Sequence, residues 1–413
     1  MSKIPPNHHI HPSLQLSDDI LTEAAKNFGT PLYVYDACVM QQQLDMLRSI
    51  IPDNTTVYYS VKANPNISII QIFHKLTTSF EVASAGELST VMCADVSPSN
   101  IIFVGPGKTK DELKKAISLE IMAIVAESLR EIDDLQTLSK KFDKKVRVAL
   151  RINPGRGKGI IRMGGTTQFG MEKDCAIKII NSSKYPNLDF IGIHAYLGTG
   201  ILDPKSILNH TEIILQIADD IQLQSGRNFS FIDVGGGFGV PYYEWEQMPD
   251  WKSLQSSLNI LIQSYLAKHP STKTFAIEAG RFLVAHSGVF IASVLDIKKS
   301  NDKCFAILDG GTNVFGGDNR YRGFRPTPMR VINAKRNLNF EPITLCGPLC
   351  TSADQLAANT LLPMPKIGNL IGFYQAGAYG LTASSGFFLS HGFPAEVLFQ
   401  NDKLSLIRER INI

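Results

Sequence analysis

The chain has 413 residues, 44% hydrophobic and 19% charged, with a net charge of +3. That composition belongs to a compact globular protein and excludes a disordered one, and a charge so near balance, with no block of one sign, excludes a nucleic-acid or membrane surface. No run of about 18 apolar residues occurs, so no membrane span is expected, and the expected partners are small molecules and protein subunits.

The opening Met1-Ser2-Lys3-Ile4-Pro5-Pro6 lacks an apolar signal region, and the six cysteines (Cys38, Cys93, Cys175, Cys304, Cys346, Cys350) are scattered, which suits a reducing cytoplasm. His8-His9-Ile10-His11 reads as a solvated tail. Cys346 and Cys350 have no second pair or nearby histidine to complete a zinc set, so no metal is expected. From residue 30 to 285, short β-rich runs alternate with helical patterns, the mark of repeated βα units on a parallel sheet. Candidate strands are Leu32 to Tyr35, Val57 to Val61, Phe80 to Val82, Ile101 to Val104, Met122 to Val125, Val146 to Ile152, Phe190 to Ala195, Phe231 to Val234 and Thr274 to Glu278. Amphipathic stretches such as Lys110 to Leu119, Ser128 to Lys140 and Ile207 to Ser225 lie between them. A strand count near eight predicts an α/β fold with a closed (β/α)8 barrel over 30–285. Residues 286–413 show strand-like runs broken by Gly, Pro and Asn, which predicts an all-β domain, with residues 1–29 packed on it.

Residues at the carboxyl ends of barrel strands face one common site. Lys62 ends the apolar run Thr56-Val57-Tyr58-Tyr59-Ser60-Val61. A lone lysine at a strand end ordinarily snorkels into water, whereas a desolvated one sheds its proton and attacks carbonyl carbon. Asp233-Val234-Gly235-Gly236-Gly237 follows another strand, and three glycines let backbone amides approach an anion such as phosphate, although tight turns have the same composition. Ile277-Glu278-Ala279-Gly280-Arg281 closes a third strand with a carboxylate, a glycine amide and a guanidinium, a set that an ordinary surface ion pair also produces. Pyridoxal phosphate needs these parts together: a lysine for a Schiff base, an amide cradle for its phosphate, and a carboxylate that keeps its ring nitrogen protonated. Glu278 is the candidate for the last.

Six segments in order, Tyr58-Tyr59-Ser60-Val61-Lys62-Ala63-Asn64, Gly235 to Gly237, Glu278-Ala279-Gly280-Arg281, Cys350-Thr351-Ser352-Ala353-Asp354, Gly377-Ala378-Tyr379 and Pro394-Ala395-Glu396-Val397-Leu398, resemble those of fold-type III pyridoxal-phosphate decarboxylases, the diaminopimelate and ornithine decarboxylases among them. The resemblance spans nearly the whole chain and implies a barrel, a β-domain and a homodimer whose two active sites share residues. It implies that Lys62 holds the cofactor, that Gly235, Gly236, Gly237, Gly280, Arg281 and Tyr379 hold its phosphate, and that Glu278 faces the pyridine nitrogen. Cys350 is implied to reach in from the partner chain and reprotonate Cα, Glu81 and Arg151 to lie near the lysine and ring, and Arg325, Thr351 and Asp354 to bind substrate.

Departures from the family pattern bear on substrate. Tyr196-Leu197-Gly198-Thr199 stands where relatives carry His-Ile-Gly-Ser or His-Val-Gly-Ser; Tyr196 can still stack on the ring and Thr199 can still donate to phosphate. His194 is assigned to the opposite face of its strand, as a core histidine. Thr351 replaces the acid that binds a substrate's distal amine, a contact worth ~1.5–3 kcal/mol; Met329 replaces a tyrosine of the diaminopimelate decarboxylases, and Asn369 stands where relatives have Asp. Gly155-Arg156-Gly157-Lys158-Gly159 suits a lid over an anionic substrate and an ordinary exposed loop equally. The segments Phe103 to Thr109, Met163 to Gly170, Arg281 to His286 and Phe388 to His391 are similar to those of siderophore decarboxylases of the staphyloferrin B type and of the decarboxylase that acts on carrier-protein-bound glutamate. The expected activity is therefore α-decarboxylation of an amino acid or amino-acid conjugate in siderophore or related biosynthesis, with a carrier protein as one partner to test. Diaminopimelate decarboxylase is the alternative, and a non-catalytic regulatory relative is the alternative of a different class.

Overall fold

The computed structural model describes every residue except 1–9, 156–160, 163–164, 244–245, 317–326, 335–338 and 413. Two compact units are present, one made of Met1–Gln43, Val240–Met248 and Arg281–Ile413, the other of Leu44–Gly239 and Pro249–Gly280. The first strand, β1 (Leu32–Asp36), belongs to the former unit. The barrel follows in the latter as β2 (Thr55–Ser60), β3 (Ser79–Val82), β4 (Ile101–Phe103), β5 (Ala123–Ala126), β6 (Val146–Arg151), β8 (Leu188–His194), β10 (Phe231–Asp233) and β11 (Thr274–Ala279), with a two-stranded ladder of β7 (Ile161–Arg162) and β9 (Gly198–Thr199) beside it in sequence. The eight strands pair in parallel and close, β11 on β2 and β8 on β10.

Of the nine strands expected from sequence, these eight form the barrel and Leu32 to Tyr35 does not. β1 pairs parallel with β18 (Ala395–Gln400) and antiparallel with β12 (Gly288–Ser300) in the second sheet. All five of its residues are buried, so its apolar pattern is the one a barrel strand would show, and hydrophobicity alone cannot say which sheet receives it.

The barrel interior is filled by Tyr58, Ile102, Ala123, Val125, Ala149, Ile191, Phe231 and Ala276, drawn from seven strands. Each large apolar side chain so enclosed contributes about 1.5–3 kcal/mol relative to exposure. The surrounding helices bury one stripe each: Leu129–Phe142 turns Ile132, Leu135 and Leu138 inward at helical spacing. Their starts are set by side-chain caps, Ser128 accepting from the Glu131 amide and Thr109 forming a reciprocal capping box with Glu112. In the other unit the described strands run in the order β16 (Gln355–Pro363), β15 (Phe340–Cys346), β13 (Lys303–Leu308), β12, β1, β18, β19 (Lys403–Arg408), while β17 (Leu370–Tyr374) pairs with both β12 and β14 (Met329–Val331). Helix Asp18–Phe28 packs Leu21 and Ala24 on that sheet, against Leu32, Val34, Val289 and Val397 among others. Asn369 turns the chain into β17, its Oδ1 accepting the Lys366 amide at 2.9 Å, a task that aspartate would perform in the same way.

Between β4 and β5 the barrel wall carries a buried cation. Lys108 Nζ lies 2.7 Å from Glu131 and donates to the carbonyls of Gly105 and Val125 at 2.6 and 2.8 Å, with both side chains 3% exposed or less. Burial pushes the Glu131 carboxyl up, and the Lys108 charge works against that rise. Lys108→Met would leave the carboxylate buried without its cation, and the expected loss is about 3–5 kcal/mol. Urea unfolding at neutral pH measures it, and an unchanged midpoint would contradict the assignment.

Candidate active site

The carboxyl ends of the barrel strands bring charged side chains to one face. Lys62 sits in the short 3-10 turn Val61–Ala63 directly after β2. Its Nζ lies 2.8 and 2.7 Å from the two carboxylate oxygens of Glu81, which the β2–β3 register sets opposite Ser60. The Lys62 side chain is 43% exposed, whereas Glu81 is 1% exposed. Desolvation of the amine, one expectation from sequence, is thus absent: a buried carboxylate holds an ammonium that remains open on one side.

Arg151 ends β6, buried, with Nη1 donating to Glu127 at 2.9 Å and its guanidinium over the Phe169 ring at 4.7 Å. Glu127 also accepts the amides of Gly105 and Gly170, so one carboxylate ties the segments after β4 and β6 to the arginine. His194 ends β8, and its Nε2 lies 3.2 Å from Glu278 near the end of β11. The expectation of a core histidine on the far face is therefore corrected. His194 is buried, but residues two apart on a strand share a face, and this one meets the key carboxylate. Asp233, at the end of β10, completes the group; one donor atom from each of His194, Asp233 and Glu278 lies within 4.8 Å of the others. Burial pushes the Asp233 carboxyl well up, and the Glu278 charge adds to it. For Glu278 burial acts upward too, but the charge and hydrogen bond of His194, with Lys62 and Arg151 behind, outweigh it and hold that carboxyl below its ordinary range.

The glycines after β10 are fixed by close approach. Gly235 has φ +64°, takes the Asp233 carboxylate on its amide at 2.8 Å, and leaves no room for a Cβ beside the Tyr196 ring. A Cβ on Gly236 would stand 1.8 Å from the Glu278 carbonyl. Thr199 lies in β9, next to Gly198, and Gly280 follows β11. Lys62, Glu81, Arg151, Tyr196, Thr199, Gly235, Gly236, Gly237, Glu278 and Gly280 thus all lie at or just beyond the carboxyl ends of the barrel's strands.

The other unit carries the remaining candidates. Arg281 is buried, its Nη1 donating to the Tyr242 hydroxyl at 2.8 Å and its guanidinium 4.8 Å from the Tyr379 ring centre. Cys350 and Thr351 are exposed on their loop. Asp354 is buried and accepts from the Thr312 amide and hydroxyl and the Leu349 amide, so the visible work of this carboxylate is to hold the 347–354 loop. Arg325, Arg156 to Gly159, Met163, Gly164, His8 and His9 lie outside the described residues.

The family described as "Pyridoxal-dependent decarboxylase, pyridoxal binding domain" matches residues 37–285. The chain is 36% identical over 410 residues to the L-glutamyl-[BtrI acyl-carrier protein] decarboxylase of Niallia circulans, covering 96% of this chain and 95% of that one.

The chain belongs to the pyridoxal-dependent decarboxylases.

It is also 31% identical over 384 residues to the 2-[(L-alanin-3-ylcarbamoyl)methyl]-2-hydroxybutanedioate decarboxylase of Staphylococcus aureus, covering 90% of this chain and 94% of that one. Among solved structures, the diaminopimelate decarboxylase of Helicobacter pylori in complex with L-lysine matches with a TM-score of 0.85 and 28% identity, covering 94% of this chain and 96% of that one. The cofactor of this decarboxylase is pyridoxal phosphate, and the barrel residues fit it. An amine is held open to one side, a buried carboxylate stands ionised at His194, and backbone amides lie where side chains cannot.

Sequence reasoning passed over three residues of this arrangement. The sequence pattern places His194 in the core, marks Asp233 only as the neighbour of a glycine run, and gives Glu127 no motif. For Glu127 a signal existed: a carboxylate just past a strand end, four residues before Glu131, in a chain where acids at such positions must find cations. The glycine constraint makes a prediction. Gly236→Ala should displace the Glu278 backbone and weaken retention of pyridoxal phosphate more than tenfold, about 1.4 kcal/mol, read by titrating apoprotein with the cofactor. Unchanged affinity would remove Gly236 from the cradle.

Proposed function

We propose that this decarboxylase removes the α-carboxyl group of an amino acid carried within a larger conjugate, in a biosynthetic sequence of the siderophore or related natural-product kind. The observation that carries the reading is the 36% identity, across 96% of the chain, to a decarboxylase of a carrier-protein-linked glutamyl group. The Staphylococcus aureus relative points the same way, since its name describes an alanine joined through carbon 3 by a carbamoyl link to a hydroxybutanedioate. Such a substrate presents an amide where diaminopimelate presents a second ammonium. Thr351, exposed and uncharged, agrees with that difference, because a distal ammonium would call for an acid there.

Pyridoxal phosphate, when bound, supplies the electron sink for the pair left at Cα as carbon dioxide departs. In this reading Lys62 is the attachment point, and Glu81 keeps its amine oriented until the aldehyde arrives. Glu278 supplies negative charge to the ring nitrogen, with His194 behind it. The amides of Gly235, Gly236, Gly237 and Gly280, with Thr199, would hold the phosphate, and Tyr196 would contact the ring. The assignment of Arg281 and Tyr379 to the same phosphate, and of Arg325, Thr351 and Asp354 to substrate, rests on the resemblance of their motifs. Cys350, in a homodimer with shared sites, returns a proton to Cα from the second copy. The cytoplasm is the compartment that suits a free-thiol enzyme of this kind; among the described residues no helix is long and apolar enough to cross a membrane.

A second reading, decarboxylation of diaminopimelate itself, is favoured by the 0.85 TM-score to the Helicobacter pylori enzyme. Carbon dioxide release from meso-diaminopimelate, a glutamyl carrier-protein thioester and a citryl-diaminopropionate conjugate separates the two. One of the conjugates should exceed diaminopimelate in kcat/KM by at least about tenfold, a difference of roughly 1.4 kcal/mol; the reverse order would replace the first reading by the second. With the preferred substrate, Cys350→Ser should lower kcat about a hundredfold, as loss of a general acid does, while cofactor retention is unchanged. Full kcat in the variant would remove Cys350 from the reaction.

A further inference from the structure

Asp233 is fully buried, its Oδ1 accepts the Gly235 amide at 2.8 Å, and its Oδ2 has no hydrogen-bond partner among the described residues. It lies between the ends of β8 and β11, opposite His194 in one register and Ala276 in the other, and Glu278 stands within 4.8 Å. The imidazole that is close enough to bond chooses Glu278. The other charged or titratable groups facing this pair are Glu81 from β3, Arg151 from β6, Lys62 after β2 and the Tyr58 phenol from β2. Both of those cations are already engaged, Lys62 by Glu81 and Arg151 by Glu127. Two carboxylates so near each other and so deeply buried cannot both remain ionised when the one nearby hydrogen-bonding imidazole serves Glu278.

We propose that Asp233 carries the proton of this cluster, so that the Asp233–Glu278 pair holds one negative charge and holds it on Glu278. Asp233 is then a positioning residue: as a neutral acid it spares Glu278 a second anion at close range, and it still orders the glycine run through Oδ1. The upward push on the Asp233 carboxyl by burial and by Glu278, against the downward hold on Glu278 by His194, agrees with that division. The functional consequence rests on the reading of Glu278 as partner of the cofactor's ring nitrogen, because a cationic ring needs an anion there.

Infrared spectra of the full-length apoprotein at neutral pH test the proton's location, through the carbonyl stretch of protonated carboxylic acids. The expected result is a band present in wild type and in Glu278→Gln but missing in Asp233→Asn, whose amide oxygen keeps the Gly235 bond. On raising the pH, the band should vanish about one unit or more earlier in Glu278→Gln than in wild type, since the neighbouring charge is gone. A band lost in Glu278→Gln and kept in Asp233→Asn would put the proton on Glu278, and identical spectra for wild type and Asp233→Asn would leave no proton on Asp233; either overturns the proposal. Should Asp233→Asn fail to fold, carbon-13 labelling of aspartate in wild-type protein and in Glu278→Gln separates an aspartate band, which shifts, from one on Glu278, which does not. Retention of pyridoxal phosphate on gel filtration is scored separately. Retention without the band rejects the proton placement alone, and the band without retention rejects the cofactor reading alone.

Discussion

Eight parallel strands aim their carboxyl ends at one face, and many of the side chains that finish them are ionisable, so each must meet an opposite charge or hold a proton. A buried ion without a partner costs several kcal/mol, and the barrel answers this with pairs that cross from strand to strand. Lys62 is set on Glu81, Arg151 on Glu127 and His194 on Glu278. The pairs differ in one respect that matters for chemistry. Lys62 alone among these three nitrogen-bearing partners keeps a large share of its side chain exposed, so the amine proposed as the attachment point is the one that a small molecule can reach.

In the proposed reading the same face needs room for an anion as well as charge, and room is made by deleting side chains. Gly236 sits against the Glu278 carbonyl and Gly235 against Tyr196, contacts that no other residue could make without moving the chain. Because the glycine run begins two residues after Asp233, whose carboxyl caps Gly235, the glycine run and the acid pair are one local structure.

The strand count and the order of the motifs were legible in the sequence, because apolar runs of three to seven residues separated by amphipathic helices leave few architectures. The sheet that takes β1 was not legible, since a strand buried along its whole length carries no mark of its neighbours. The charge pairs were not legible either. His194 and Glu278 are 84 residues apart, Arg151 and Glu127 24, and Lys62 and Glu81 19, distances that follow from barrel closure and not from any local spacing. Lys62 itself stood out at its strand end, but the reason first attached to it, desolvation, gave way to an exposed amine on a buried acid. Asp354, conspicuous within its motif, accepts from the amide and hydroxyl of the distant Thr312 as well as from Leu349 in its own loop, contacts that no local spacing announces.

The account stands most directly on Lys62 as the point where pyridoxal phosphate is attached. Reduction of the cofactor-loaded protein with borohydride, followed by proteolysis and mass spectrometry, locates the attachment without reference to any substrate. The account predicts a single pyridoxyl-modified peptide, with the group on the ε-nitrogen of Lys62. Modification of a different lysine, or none in a folded protein that has retained the cofactor, would contradict it.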